Sequence, residues 1–154
     1  MTPDSVTVST VVAAPPDEAF TIFTTEVDAW WRRGARHRHD PAASVVQFAD
    51  DHLVEVTPEG AERLGRIVAW EPGRLLALEW LDTRRPHWAG TAVEVRFEPA
   101  GFGTRITLVH HGWTGLRPGD ARSTVVGLWW GDLLAPYAHH LGHPARPART
   151  PPQQ

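Results

Sequence analysis

Between residues 44 and 111 the chain carries six short strand-like runs separated by turn signals, and this meander is what most limits the folds open to it. The runs are 44–48, 53–57, 64–70, 75–81, 91–98 and 104–111. Asp50-Asp51, Pro58-Glu59-Gly60, Glu71-Pro72-Gly73 and Pro99-Ala100-Gly101 punctuate them. In run 91–98, Val93, Val95 and Phe97 alternate with Glu94, Arg96 and Glu98, which predicts one buried and one wet face. In run 104–111, Ile106, Leu108 and His110 share one side. Strands linked this closely pair antiparallel, and their apolar face needs a cover.

The two ends of the chain supply that cover. Residues 5–12 (SVTVSTVV) alternate small polar and β-branched residues and predict a first strand. Pro15 and Pro16 then open a helix, with Asp17 and Glu18 in the first turn where the dipole favours them. Phe20, Phe23, Val27 and Trp30 share one face of this helix, which is expected to run to about Trp30. At the far end, Val126, Trp130, Leu133, Leu134, Tyr137 and Leu141 lie at helical spacing within residues 120–141. Pro136 lies inside that pattern, where a proline costs about 3 kcal/mol, so a kink is expected there and a break near Gly127 or Gly131. Residues 34–41 and 82–90 read as loops, and 143–154 as a disordered Pro/Arg-rich tail. The order strand, helix, meander, helix is α+β, in one domain over residues 1–142.

Composition narrows the function classes. All 15 basic residues are Arg, and the net charge of -3 offers no footprint for nucleic acid or anionic lipid. Cys 0 excludes disulfides, thiolate chemistry and cysteine-ligated zinc, and no stretch reads as a signal peptide or membrane span. A cytoplasmic protein is expected. His139 and His143 have the four-residue spacing that can hold a metal on a helix, but no acidic third ligand is near in sequence, so neither metal nor cofactor is expected. No nucleophile elbow, phosphate loop or metalloprotease motif is present.

The segments AAPPDEAFTIFT with WW at the helix end, GRIVAWEPGRLLALEW, TAVEVRFEPAGFGTRITLVHHGW and the late WWGDLL, in this order, resemble the SRPBCC or START-like superfamily. Within it they are similar to the branch named after the activator of heat-shock protein 90 ATPase. The resemblance spans residues 5–141 and implies a helix-grip fold, a curved antiparallel sheet of six to seven strands wrapped around a long C-terminal helix. Where many relatives have a Gly-Gly pair ahead of an aromatic, this chain has Asp51-His52-Leu53.

That likeness also implies a cavity between sheet and C-terminal helix, and Trp 8 in a chain with Met 1 and Tyr 1 suits aromatic walls. The candidate ligand-binding residues are Trp31, Trp80, Trp88, Val95, Phe97, His110, Trp130 and Leu134. His110 is the candidate polar group, free to bond a ligand or satisfied by a buried group such as Glu79. Trp30 and Trp31 divide the work, since about 100° of helical rotation separates them: Trp30 is expected in the core, Trp31 partly exposed at a cavity rim, with Arg32 and Arg33 solvated. Loop 82–90 is expected to border the mouth with loop 34–41 and to offer Arg84 and Arg85 to an acidic ligand group. The expected function is binding, carrying or sequestering a hydrophobic, aromatic or polyketide-like small molecule. A polyketide cyclase-like enzyme and a module binding heat-shock protein 90 are the alternatives.

Overall fold

A computed structural model describes residues 5–82, 84–113 and 120–142. Strand β1 (Ser5–Val12) leads into α1 (Pro16–Thr25) and the single-turn α2 (Val27–Trp30). The meander follows as β2 (Val45–Ala49), β3 (His52–Thr57), β4 (Gly60–Glu71), β5 (Leu75–Trp80), β6 (Ala92–Ala100) and β7 (Gly103–His111), and α3 (Ala121–Leu141) closes the fold. The seven strands form one antiparallel sheet in the order β1-β7-β6-β5-β4-β3-β2. Bulges between Leu53 and Val54 and between Ile67 and Ala69 bend it, since an extra residue in one strand sharpens the local twist. α3 lies in the concave face, so the helix-grip expectation holds.

Register shows which side chains look inward. Val6 pairs with His110, Val8 with Leu108, Phe97 with Ile106 and Val93 with Leu78, and paired residues share a face. Glu79 belongs to the opposite face, where its carboxylate takes two hydrogen bonds from Arg66, so it is not the partner of His110. The hairpin at Asp50-Asp51 forms in full despite the missing glycines: Val45 pairs with Val56 through to Ala49 with His52, and Asp50 adopts φ 55°. Aspartate is among the few side chains that accept this left-handed conformation.

Both helical expectations need correction. The first helix does not reach Trp30 unbroken: Glu26, at φ -110° and ψ 26°, separates α1 from α2. The hydroxyls of Thr21, Thr24 and Thr25 bond back to carbonyls one turn earlier, competition that weakens and bends a helix end. Conversely, α3 runs without a break through Gly127, Gly131 and Pro136. Pro136 has no N–H for the carbonyl of Asp132, four residues earlier, and Arg32 at the end of α2 donates its Nε to that oxygen instead (2.5 Å). The orphaned acceptor is thus satisfied from a hundred residues away. Gly127 rides over Val6 of β1.

Candidate functional site

The sheet, α3 and the two loops meet around His110, which is fully buried. Trp130 of α3 donates its indole N–H to Nδ1 of His110 (2.9 Å). An indole nitrogen is only a donor, so Nδ1 is unprotonated and the imidazole proton sits on Nε2, which faces Thr91 Oγ1 at 2.6 Å. Thr91 passes its own hydroxyl hydrogen to the carbonyl of Trp88 (2.5 Å). Both ring nitrogens are therefore engaged. Burial, with a smaller contribution from the neighbouring His111, pushes the imidazole pKa down to about 3, so it is neutral throughout the physiological range.

Indoles enclose this chain of bonds. Trp80, Trp88, Trp113, Trp129 and Trp130 pack around His110 and one another in tilted and edge-to-face contacts, with centroids 4.4–6.4 Å apart. Several indole N–H groups here and in the adjoining core are tied down. Trp31 donates to His37 O, Trp129 to Arg36 O and Trp113 to His110 O, each at 2.9–3.0 Å. The indole nitrogens of Trp30 and Trp80 are buried without a hydrogen-bond partner.

Loop 34–41 is held from beneath by two buried charges. Arg38 is fully buried and uses all five of its N–H donors: on the carbonyls of Asp28, Trp31, Arg32 and Ser44, and on the Asp28 carboxylate at 2.8 Å. It thereby satisfies the carbonyls at the end of α2, which is why the paired tryptophans can end a helix inside the protein. Partial burial disfavours the Asp28 carboxylate, but the Val46 N–H and the Arg38 guanidinium outweigh it and hold its pKa below the ordinary value. Glu55 of β3, also fully buried, accepts the N–H groups of His39 (2.8 Å) and Asp40 (3.0 Å), one on each oxygen.

Loop 82–90 clasps loop 34–41 from above, and contains a short 3-10 turn, Pro86–Trp88. Arg84 donates to the carbonyls of Ala35 and Arg38, and Arg85 to that of Arg36. The Arg85 guanidinium also lies over the rings of Trp129 (4.8 Å) and Trp88 (5.4 Å), with Asp82 beside it. Asp82 faces His39 Nε2 at 3.1 Å. The loops border one another, but among the described residues no open mouth lies between them where one was expected. Their arginines, however, are committed to backbone carbonyls rather than held out for a ligand.

All eight candidate residues are buried, but they do not surround one open cavity. Trp31, Val95 and Trp130 line a gap of about 10 Å³ together with Phe23, Val27, Phe48, Leu53, Leu78 and Val93, space for about one water. Phe97 packs instead on Phe20 and Phe23, Trp80 and Trp88 lie beside His110, and Leu134 belongs to the surrounding core. Trp31 is corrected from rim to interior: it is 4% exposed, against 3% for Trp30, because loop 34–41 folds back over it and accepts its N–H. Arg32 and Arg33 remain exposed. Trp129, Thr91, Arg38 and Glu55 were missed. Trp129 alone had a local signal, three residues after Val126 and four before Leu133; the others bond across long separations that no pattern reports. Among the described residues no group of three His, Asp or Glu could hold a metal ion, and no helix is long and apolar enough to cross a membrane; His143 and the 143–154 tail lie outside them.

Residues 13–135 match the family described as Activator of Hsp90 ATPase homolog 1-like protein. The chain belongs to this family. No curated protein matches the sequence. Similar solved structures include the Aha1 dimer from Colwellia psychrerythraea, at 13% identity and TM-score 0.59, covering 91% of this chain and 97% of that one. CalU16 from Micromonospora echinospora is 19% identical with TM-score 0.60, covering 90% and 76%. Protein SSP2350 from Staphylococcus saprophyticus is 14% identical with TM-score 0.65, covering 90% and 92%. At these identities the likeness is one of fold.

Proposed function

We propose that this family member binds an aromatic, hydrophobic small molecule between the sheet and α3, and carries or sequesters it without transforming it. The observation that carries the reading is the indole N–H of Trp80, fully buried at the centre of the aromatic cluster and without an acceptor. Leaving such a donor unpaired costs about 1–3 kcal/mol, and a ligand with a carbonyl or phenolic oxygen would relieve it. Trp31, Trp88, Val95, Phe97, Trp130 and Leu134 would then contribute apolar wall.

Room for a ligand requires the two loops to part, since the gap is now about 10 Å³. The bonds that would break are those of Arg84, Arg85 and the His39–Asp82 pair, near the surface, while the Arg38 and Glu55 anchors stay in place. His110 does not fit a cyclase: Trp130 occupies the Nδ1 lone pair and Thr91 takes the Nε2–H, so neither nitrogen is available to a substrate in this arrangement. The filled interior favours one other reading, a module that works through its outer surface on a chaperone, as the family's description suggests. The cytoplasmic setting belongs to the same proposal.

Native mass spectrometry of protein purified from its own host tests the reading. A co-purified aromatic compound, lost in Trp80→Phe, is the expected result; that change keeps a ring and removes the N–H. Empty protein that forms a defined complex with heat-shock protein 90 would support the surface module instead.

A further inference from the structure

The opposite end of the concave face is open. A groove of about 510 Å³ lies between the end of α1 and the β2–β4 edge of the sheet, lined by Thr24, Thr25, Phe48, Asp50, Asp51, Ile67 and Trp70. That volume lies in the range of small-molecule sites. Ile67 and Trp70 share its floor only because of the β4 bulge: Ile67 pairs with Leu78 and Trp70 with Leu76, so the extra residue Val68 turns both inward. Trp70 is held edge-on by Phe20 (5.3 Å) and Phe48 (5.6 Å), yet is 43% exposed, whereas each of the other seven tryptophans is buried.

The charge on the rim has one sign. Asp51 is engaged by His52 Nδ1 at 2.8 Å, while Asp50 makes no ion pair or side-chain hydrogen bond among the described residues. A half-exposed indole lining the same groove as a free carboxylate suits a cation with an apolar body: the ring quadrupole attracts the charge, the carboxylate pairs with it, and Phe48 and Ile67 offer apolar surface to the hydrocarbon. We propose that this groove is a second binding site, for a hydrophobic organic amine in its ammonium form, separate from the interior around His110.

Titration with phenethylammonium and with its neutral analogue 2-phenylethanol, followed through the indole N–H signals in NMR spectra, tests the site. The expected result is saturable binding that moves the Trp70 signal, favours the ammonium by about tenfold and weakens with added salt. Asp50→Asn should abolish that preference; asparagine also accepts the left-handed backbone at this position, so the hairpin is preserved. Trp70→Leu should remove binding of both compounds. Equal affinity for amine and alcohol, an unchanged preference in Asp50→Asn, no saturation with either probe, or shifts confined to Trp80 and Trp130 would each overturn the proposal. The last outcome would assign the probe to the interior site.

Discussion

The two ends of the concave face use the same residue type to opposite effect. Around His110, five indoles fill the space between sheet, α3 and loops. Around Trp70, three aromatic rings leave a groove of about 510 Å³. What differs is the cover: the first end lies under α3 and two interlocked loops, the second only beside the end of α1. Aromatic content therefore does not by itself mark a pocket. An indole becomes core where neighbours cover it on all sides, and loop 34–41 also supplies the carbonyls that take the N–H groups of Trp31 and Trp129.

The sharpest test of that contrast is truncation. Trp80→Ala and Trp130→Ala should each cost about 3–5 kcal/mol in urea unfolding, and Trp70→Ala about 1 kcal/mol. Trp30→Ala and Trp31→Ala should cost as much as each other, because both rings are buried. A Trp70 truncation as costly as the Trp80 one would make the groove part of the core and erase the distinction.

Arg38→Ala should come next, at about 3–4 kcal/mol, because it removes a fully buried guanidinium whose five donors serve the Asp28 carboxylate and four carbonyls beneath loop 34–41. Circular dichroism melts would show it, and Arg84→Ala, at the exposed clasp above, should cost far less. A large effect from Arg84→Ala would mean that the clasp, not the buried anchor, holds the closed end shut.

The closed end should also respond to acid. Unfolded, His110 regains an ordinary pKa near 6.5, whereas folded it stays unprotonated down to about pH 3. The unfolded state thus binds more protons between these values, and stability should fall as pH is lowered through that window. His37, whose pKa burial also lowers, adds in the same direction. Urea midpoints measured across the window should slope downward towards acid, and His110→Phe should flatten the slope while lowering overall stability.

The smallest effect concerns α3. Arg32→Ala should cost about 0.5 kcal/mol, by removing the side-chain donor from the exposed Asp132 carbonyl above Pro136. In a Pro136→Ala background the restored N–H takes that carbonyl, so the same change should cost less. A double-mutant cycle with no coupling would show that the Arg32 bond does not compensate the proline.

Periodicity within short windows was enough for the α+β class, the seven strands and both helical regions, because alternation and the 3.6-residue repeat are local signals. Proline at the start of α1 and the pairs of tryptophans were equally plain. Tertiary structure alone decided the rest. The face of Trp70 turned on a bulge, since one extra residue reverses the parity of everything after it. The burial of Trp31 turned on a loop folding back, and the donor at the Asp132 carbonyl came from Arg32, a hundred residues away. Whether the tryptophans would wall a cavity or fill it was not written in their spacing, because packing is settled by how closely sheet, helix and loops approach, and that distance is a property of the assembled whole.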